Sequence, residues 1–285
     1  MKEERGAVKQ SDLRGRAAIG APKDTLAVAV GTGTVEANVR NLLYRRPELY
    51  EVMYPEFDEA TPKMCLRMFS AYLERQPSSI LDVGCGTARD LNVLSRHCAD
   101  CWGIDYLPEM IAFAHQKRPH LNLQVGDMRT IRLGRTFDVI LHLGSALMYA
   151  LSDEDVDATL ETLAAHAHKG TLLIIDLDNA AGFLPGGSFQ ETREREISAD
   201  GFHAVTSSAY SFDRRAQLLV RKRIWRIDGQ PTIEDYCRYR MFFPAELEHL
   251  LMNKGFRVAG MFDNKELKES DLTGPILYVA AQLDA

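Results

Sequence analysis

Cysteine is scarce in this sequence, and the few cysteines are scattered. The 285 residues include five cysteines, an odd number that fits a reducing compartment better than a disulfide-stabilised secreted protein. Cys98 and Cys101 form a C-x-x-C pair at a helix end and a strand start, whereas a redox pair opens a helix. A zinc site would need a second pair of ligands, which the sequence lacks. We therefore expect two small, semi-buried residues here.

Long apolar runs and excess positive charge are also missing. No stretch approaches the ~20 apolar residues that span a bilayer, and "TLAVAV" at 25–30 is too short for the apolar region of a signal peptide. With 34 Lys and Arg against 40 Asp and Glu, the net charge of −6 argues against strong binding to nucleic-acid phosphates. We expect a cytoplasmic protein that binds neither a membrane nor a nucleic acid.

The first part of the chain is polar and then becomes helical. Residues 1–35 have no sustained periodicity, which predicts a loose arm. Residues 36–74 carry apolar residues at three- and four-residue spacing, as in "VRNLLYRRPELYEVMYP" and "TPKMCLRMFSAYLERQ". This spacing predicts N-terminal helices.

The rest of the chain predicts an α/β core with a β insertion. Residues 75–184 alternate short apolar runs with amphipathic segments, which predicts a doubly wound, mostly parallel sheet. Residues 185–243 are rich in β-branched and aromatic residues separated by turn residues, which predicts an antiparallel insertion after the fifth strand. Residues 244–285 return to a helix and strands that complete the core sheet.

The segment "ILDVGCGTARD" at 80–90 predicts a ligand-binding turn after the first core strand. Gly84 and Gly86 allow a tight turn and a close approach of the backbone to a ligand. A dinucleotide-binding turn would carry a third glycine where Arg89 stands. The carboxylate of Asp82 would repel a pyrophosphate but suits a positively charged ligand. Both features argue against the alternative of an NAD-dependent oxidoreductase.

Two further acids follow the next two strands. Asp105 lies about 20 residues beyond the glycines, where a carboxylate can accept both hydroxyls of a ribose. Asp127, in "VGDM", could accept the amino group of an adenine. A ribose, an adenine and a cationic tail together describe S-adenosylmethionine better than NAD.

The four segments "ILDVGCGTARD", "WGIDYLPEM", "VGDMR" and "FDVIL" resemble the successive motifs of class I S-adenosylmethionine-dependent methyltransferases. The resemblance implies a Rossmann-like sheet of seven strands, with S-adenosylmethionine as cofactor and S-adenosylhomocysteine as product. One departure is Ala88, where many members have glycine.

The resemblance also implies a set of cofactor-binding residues at the strand ends. They are Asp82 and Gly84 at the methionine part, Cys85 and Gly86 in the same turn, Asp105 at the ribose, Tyr106 and Met110 beside the sugar and the adenine, Asp127 and Met128 at the adenine, and His142 and Leu143 at the sulfonium. Core packing is the alternative interpretation of Tyr106, Met110 and Met128.

A narrower resemblance is to methyltransferases that act on amino sugars and related metabolites. It is carried by "PELYEVMYPEFD" before the core, by "GDMR", and by the β insertion. It implies that the N-terminal helices close over the active site, that Tyr50 covers the carboxylate end of the cofactor, and that Tyr44 and Tyr54 line the acceptor pocket. It also makes Ser145 a candidate substrate-binding residue. Some members have a His four residues after the matching serine, where this chain has Tyr149.

The expected function is methyl transfer to N or O of a small polar metabolite, in a biosynthetic pathway. His142 and Tyr149 are the candidate general bases, although a neutral amine needs no strong base. Arg221 and Arg223 share one face of a strand, which could bind an anionic group of the acceptor or could face solvent or the partner in a homodimer.

Two other functions stay open from the sequence. One is a metal-dependent O-methyltransferase with Mg²⁺ on Asp176, Asp178 and Asn179, although that site would need an acid after strand four, where "HLGS" has none. The other is a catalytically silent protein that binds S-adenosylmethionine. We predict no metal.

Overall fold

The structure is a computed structural model that describes residues 41–55, 58–184, 189–199 and 201–284. The predicted arm at 1–35 lies outside these residues. The part of the chain that is described contains no helix both long and apolar enough to cross a membrane.

The described residues form seven α-helices and eleven β-strands. The helices are α1 (Leu42–Arg45), α2 (Pro47–Met53), α3 (Ala60–Tyr72), α4 (Arg89–Leu94), α5 (Pro108–Lys117), α6 (Asp153–Ala165) and α7 (Pro244–Met252). The strands of the core are β1 (Ser79–Val83), β2 (Asp100–Asp105), β3 (Asn122–Val125), β4 (Phe137–His142), β5 (Ala167–Asp178), β10 (Phe256–Phe262) and β11 (Ile276–Leu283). The strands of the insertion are β6 (Thr192–Ala199), β7 (Phe202–Asp213), β8 (Leu218–Ile227) and β9 (Ile233–Arg240).

The larger sheet has seven strands in the order β10-β11-β5-β4-β1-β2-β3. Strands β1 to β5 run parallel, whereas β11 is antiparallel to β5 and β10 is antiparallel to β11. Strands β1 and β4 are buried almost throughout, which explains why they read as continuous apolar runs. The predicted Rossmann-like, mostly parallel, seven-stranded fold is confirmed. The strand order reverses between β1 and β4, and ligands of such sheets bind beside this point.

The smaller sheet is antiparallel, with four strands in the order β6-β7-β8-β9. This sheet is the predicted insertion after the fifth strand. The sequence of β6 does not predict a strand, because "TREREISA" is mostly charged and buries only Ile197. Charged side chains are typical of an edge strand, where they discourage pairing with other chains.

The N-terminal helices pack against the smaller sheet. Leu43 and Leu49 form a buried cluster with Ala204, Trp225 and Ile227. Burial of these apolar side chains stabilises the contact by the hydrophobic effect. Helices α1 and α2 are therefore fixed between the smaller sheet and the carboxyl ends of the core strands.

A polar contact fastens α2 to the core. The Glu51 carboxylate accepts a hydrogen bond of 2.6 Å from the Thr87 hydroxyl and one of 3.1 Å from the buried Arg118, and it also pairs with Lys117. Burial raises the pKa of Glu51, but the hydrogen bonds from Arg118, Lys117 and Thr87 outweigh it and leave the pKa below its ordinary value. Glu51 is therefore an ionised anchor beside the glycine turn.

Candidate active site

The turn after β1 is built around two glycines with positive φ. Gly84 has φ +88° and Gly86 has φ +56°, conformations that favour glycine. A Cβ added at Gly84 would lie 2.9 Å from the Cβ of Ala146, which is closer than a side chain allows. Ala88 also has a positive φ of 59° and begins α4. The turn therefore needs Gly84 both for its backbone conformation and for its contact with the segment after β4.

A cavity of about 140 Å³ lies over this turn, at the carboxyl ends of β1, β2 and β4. Nine of the predicted cofactor residues line it: Tyr50, Gly84, Gly86, Asp105, Tyr106, Met110, Asp127, Met128 and Leu143. Tyr44, Leu107, Gly126, Gly144, Ala146 and Tyr149 complete the lining. We call this the cofactor cavity.

Asp105 is held rigidly at the end of β2. Its two carboxylate oxygens accept hydrogen bonds from the backbone N–H groups of Gly86, at 2.8 Å, and Leu107, at 2.9 Å. Burial raises the pKa of Asp105, and these two hydrogen bonds lower it in part. The carboxylate thereby joins the glycine turn to the start of α5 and lines the cavity between them.

Asp127 is paired with a residue that sequence reasoning missed. Arg129 donates to both carboxylate oxygens, with a shortest distance of 2.6 Å, and also donates to Asp155 at 2.7 Å. Partial burial raises the pKa of Asp127, but Arg129 outweighs this effect and leaves the pKa below its ordinary value. Asp127 is therefore an ionised hydrogen-bond acceptor at the cavity wall. Both partners belong to the segment "GDMR", so their ion pair could have been predicted from their separation of two residues.

Three predicted cofactor residues do not line the cofactor cavity. The Cys85 side chain packs behind the turn, where a Cβ added at Gly103 would lie 2.9 Å from its sulfur. The His142 ring is fully buried, and its Nδ1 lies 2.6 Å from the Val83 carbonyl. Burial lowers the pKa of His142 to about 4, so that the ring is neutral near pH 7.

Asp82, the third of these residues, carries an unsatisfied oxygen. Its side chain is buried at the end of β1, and its Oδ1 has no hydrogen-bond partner among the described residues. Burial raises the pKa of Asp82 well above its ordinary value, and the nearby Asp90 and Asp105 add to the rise. A buried acceptor without a donor is costly. Because Asp82 lines no described cavity, the structure does not bring it to the cofactor as the resemblance implied.

A second, larger cavity of about 500 Å³ adjoins the first. The two share Tyr44, Tyr50, Gly144 and Tyr149 as lining residues. The second cavity lies between the core and the inward face of the smaller sheet, and we call it the acceptor cavity. Five predicted substrate residues line it: Tyr44, Tyr54, Ser145, Arg221 and Arg223.

Tyrosines stand at the boundary between the two cavities. The hydroxyls of Tyr44 and Tyr149 lie 2.6 Å apart, and Tyr149 makes an edge contact with the ring of Tyr239. The ring of Tyr50 lies 5.0 Å from that of Tyr54. Burial raises the pKa values of Tyr44, Tyr50 and Tyr149, so these phenols stay protonated near pH 7.

The acceptor cavity has an acidic side and a basic side. Asp58, Asp90, Asp176 and Asp178 line it from the side away from the smaller sheet, where Arg89 and Lys265 offset part of their negative charge. The basic side comes from the smaller sheet and is formed by Arg193, Arg195, Arg221 and Arg223. A ligand that carries both an amino group and an anionic group would be complementary to these two sides.

Arg221 and Arg223 share a face, as predicted, and this face lines the acceptor cavity. Arg223 is paired with Asp235 at 2.5 Å and donates to Asn41 at 2.6 Å. The Arg221 guanidinium lies over the Tyr239 ring and 3.8 Å from Asp235. Arg223 therefore serves the packing of the sheet, whereas the Nε and Nη2 atoms of Arg221 have no hydrogen-bond partner among the described residues.

The alternative magnesium site is not formed. The Asn179 side chain is buried and donates to the carbonyls of Leu272, at 2.7 Å, and Gly274, at 2.9 Å. Among the residues that the structure describes, no three His, Cys, Asp or Glu side chains are grouped to hold a metal ion.

Comparisons with known proteins agree with the fold. Residues 80–170 match the family described as a methyltransferase domain. The dTDP-3-amino-3,4,6-trideoxy-alpha-D-glucopyranose N,N-dimethyltransferase of Streptomyces venezuelae is 31% identical over 101 residues, which are 35% of this chain and 43% of that protein. The dTDP-3-amino-3,6-dideoxy-alpha-D-glucopyranose N,N-dimethyltransferase of Streptomyces fradiae is 31% identical over 138 residues, which are 44% of this chain and 52% of that protein.

A solved structure covers more of the chain. The sugar N-methyltransferase KedS8 from Streptoalloteichus superposes with a TM-score of 0.67 and 19% identity, over 93% of this chain and 98% of that one. In sequence, by contrast, the chain spans about half the length of the curated relatives it matches. The chain therefore has the class I methyltransferase fold, matches a methyltransferase domain over residues 80–170, and is similar to the amino-sugar type of S-adenosylmethionine-dependent methyltransferase.

Proposed function

We propose that this protein is an S-adenosylmethionine-dependent methyltransferase that methylates the nitrogen of an amino sugar or a related small polar metabolite. The observation that carries the proposal is the pair of adjoining cavities. One is lined by the residues predicted to bind the cofactor, and the other is polar and carries both signs of charge. A methyl donor and a polar acceptor could meet where the cavities share Tyr44, Tyr50, Gly144 and Tyr149.

The residues of the cofactor cavity suit the three parts of S-adenosylmethionine. Asp105 would accept hydrogen bonds from the ribose hydroxyls, and the ionised Asp127 would accept one from the adenine amino group. Tyr50 covers the glycine turn from α2, over the part of the cofactor cavity where the methionine part of the cofactor would lie. When bound, the cofactor supplies an electrophilic methyl group on sulfur.

The protein's own contribution to methyl transfer would be alignment and the exclusion of water. Helices α1 and α2 cover the shared boundary with Tyr44 and Tyr50, and Glu51 fastens α2 to the glycine turn. The hydroxyls of Tyr44 and Tyr149 would hold the acceptor nitrogen by hydrogen bonds without taking its proton, since burial keeps both phenols protonated.

The acceptor cavity and the names of two relatives support a nucleotide-linked amino sugar as the methyl acceptor. Both matched relatives are named for dTDP-amino sugars, which combine an amine with a diphosphate. The acidic and basic sides of the acceptor cavity are complementary to these two groups, with Arg221 as the candidate anion ligand. Such a reaction would belong to a biosynthetic pathway for a modified sugar.

Calorimetry tests the cofactor first. S-adenosylmethionine, S-adenosylhomocysteine and NADH are titrated into the wild type and into Asp105→Ala. We expect binding of the first two in the micromolar range, weakened about tenfold or more by the substitution because two or more hydrogen bonds are lost. Binding of NADH alone would overturn the proposal.

An acceptor panel then separates an enzyme from a silent binding protein. The panel contains dTDP-amino sugars with the amine at the 3- or 4-position, the matching free amino sugars, and catechols as oxygen acceptors. We expect turnover of a dTDP-amino sugar without added metal. Cofactor binding without turnover of any acceptor would favour a silent binding protein, and turnover of catechols alone would contradict the choice of nitrogen.

A further inference from the structure

An amino group that is methylated has to lose a proton first if it arrives as an ammonium ion. The inference drawn from this rests on the proposed function. Alkylamines have pKa values several units above 7, so an amino sugar enters the site largely as an ammonium ion. An ammonium nitrogen has no free electron pair with which to attack a methyl group. A group at the cavity boundary that takes this proton would let the bound ammonium form react.

The two bases predicted from the sequence are poorly placed for this step. The His142 ring is fully buried and lines neither cavity, although its pKa would leave it neutral. Tyr149 lines both cavities, but burial raises its pKa well above the ordinary value of a phenol. A phenol that is protonated near pH 7 can orient the nitrogen but is a weak proton acceptor.

Asp176 has the position that these two residues lack. It lies near the end of β5 and lines the acceptor cavity. Its Oδ1 accepts a hydrogen bond of 3.1 Å from the backbone N–H of Ser145. Ser145 follows Gly144, which lines both cavities, and so the Asp176 carboxylate lies beside their junction.

The other carboxylates of the cavity are less suitable. Asp90 lies 3.3 Å from Arg89, whose positive charge stabilises the ionised form. Asp178 lies two residues farther along β5, beyond the contact with Ser145. Burial raises the pKa values of Asp90 and Asp178. Arg89 opposes this rise at Asp90, and Arg193 and Arg221 oppose it at Asp178.

The charged and titratable groups around Asp176 come from several elements. Asp82 on β1, Asp90 on α4 and Cys65 on α3 interact with it electrostatically, as do Tyr278 on β11 and Lys265 in the loop after β10. Burial raises the pKa of Asp176 to about 6, with the Ser145 hydrogen bond and Lys265 opposing the rise and Asp90 adding to it. Asp176 is thus largely ionised at pH 7 yet more basic than an exposed carboxylate.

We propose that Asp176 is the general base of the reaction, which binds the ammonium group of the acceptor and takes its proton. The N–H electron pair stays on nitrogen as the proton moves to the carboxylate. The neutral nitrogen then forms the N–C bond to the methyl carbon, and the electrons of the C–S bond pass to sulfur. The products are a thioether and an N-methylammonium group, so charge is conserved. The proton leaves the Asp176 carboxyl for solvent before the next turnover.

The test compares Asp176→Asn with Asp178→Asn, a matched change two residues away on the same strand. With the dTDP-amino sugar that turns over in the panel, we expect Asp176→Asn to lower kcat about 10²- to 10⁴-fold near pH 7. The wild type should lose kcat as the pH falls through about 6, and Asp178→Asn should keep this acid limb. Asp176→Glu retains a carboxylate and should recover part of the rate.

A second readout does not depend on turnover. Calorimetric binding of the same dTDP-amino sugar to protein loaded with S-adenosylhomocysteine should weaken for the wild type as Asp176 becomes protonated. Asp176→Asn should bind about tenfold more weakly near pH 7 and without this pH dependence, because the charged acceptor of a hydrogen bond is lost. If the variants do not fold, acceptor binding by the wild type that stays constant between roughly pH 5 and 7 overturns the assignment.

The two proposals fail in different ways. A wild type that neither binds S-adenosylmethionine nor methylates any member of the panel overturns the proposed function, and the role of Asp176 falls with it. A wild type that methylates a dTDP-amino sugar, together with an Asp176→Asn variant of equal kcat and pH profile, overturns only the role of Asp176. Cofactor affinity should be the same in both proteins, because Asp176 does not line the cofactor cavity.

Discussion

The hydroxyl oxygens of Tyr44 and Tyr149 lie 2.6 Å apart, across the boundary between the cofactor cavity and the acceptor cavity. Tyr44 belongs to α1, and Tyr149 ends the short helical turn Ala146–Tyr149 after β4. The contact thus joins the N-terminal helices to the core at the point where the two substrates would meet. Both phenols are half-buried and line both cavities, so the pair is open to an acceptor bound at the boundary.

Replacing Tyr149 by Phe should impair acceptor binding while leaving the cofactor bound. The loss of one buried hydrogen bond is worth about 0.5–1.5 kcal/mol, so we expect KM for the acceptor to rise ~2- to 10-fold. Tyr236→Phe is the control, because Tyr236 lies on the face of β9 opposite to Tyr239, whose ring contacts Tyr149. Steady-state kinetics and calorimetry separate the two affinities. An unchanged KM for the acceptor would show that the hydroxyl pair does not contact it.

The Glu51 contact should make the position of α2 sensitive to acid. Its folded-state pKa lies below that of an unfolded chain, so its stabilising effect is complete above about pH 4.3 and is lost as the pH falls through the folded value. The free energy of unfolding of Glu51→Gln should therefore fall less on acidification than that of the wild type. Chemical denaturation at several pH values measures this difference. Parallel acid profiles of the two proteins would contradict the role of Glu51.

Gly84→Ala should destabilise the glycine turn more than a comparable substitution elsewhere. The added Cβ would lie 2.9 Å from the Ala146 Cβ, and φ is +88°. Gly134→Ala is a matched control, because φ is +67° there and a Cβ would meet no atom within 4 Å among the described residues. We expect the strained backbone to lower the free energy of unfolding of both variants by about 1 kcal/mol. The contact with Ala146 should lower it further in Gly84→Ala, which should also bind the cofactor more weakly. Equal losses in thermal denaturation would show that the contact is unimportant.

Asp235→Asn should destabilise the smaller sheet. Asp235 is the buried partner of Arg223 and also accepts a hydrogen bond of 2.8 Å from the Trp225 indole. Removing one charge of a buried pair leaves the other uncompensated, which typically costs about 3–5 kcal/mol. Asp228→Asn, at an exposed pair with His203, should cost less than about 1 kcal/mol. Denaturant titration compares the two, and similar losses would contradict the buried pair's importance.

The fold was largely predictable from the sequence, because buried parallel strands are continuous apolar runs and their glycine and acid residues mark the strand ends. The exception is β6, an edge strand whose "TREREISA" has no apolar alternation. Its pairing with β7 depends on backbone hydrogen bonds, which leave no mark on side-chain composition. Asn41, the residue before helix α1, is buried, and its side chain caps the helix by accepting a hydrogen bond from the backbone N–H of Leu43.

The candidate site was predictable only where a residue acts through its place in a strand or turn. Gly84, Asp105 and Asp127 follow core strands and line the cofactor cavity, but their roles stay predictions. Contacts between distant segments were not predictable. The partnership of Glu51 with Thr87 and Arg118 spans 36 and 67 residues.

The sequence offered Asp176 as a metal ligand because three oxygen-bearing residues are adjacent at 176–179. The fold separates Asn179 from the two aspartates, which both line the acceptor cavity. Asn179 turns away to cap the loop at 272–274, whereas Asp176 stays at the cavity. Adjacent residues on a strand point to opposite faces, and the end of the strand breaks the pattern further.

Methyl transfer itself is the most direct test of the account. The purified protein is incubated with methyl-deuterated S-adenosylmethionine and the dTDP-amino sugars of the panel, and the products are analysed by mass spectrometry. The account predicts a deuterated methyl group on the amino nitrogen of a dTDP-amino sugar, together with one S-adenosylhomocysteine for each methyl group transferred. Unlabelled sugars and no S-adenosylhomocysteine, from protein that binds the cofactor, would contradict it.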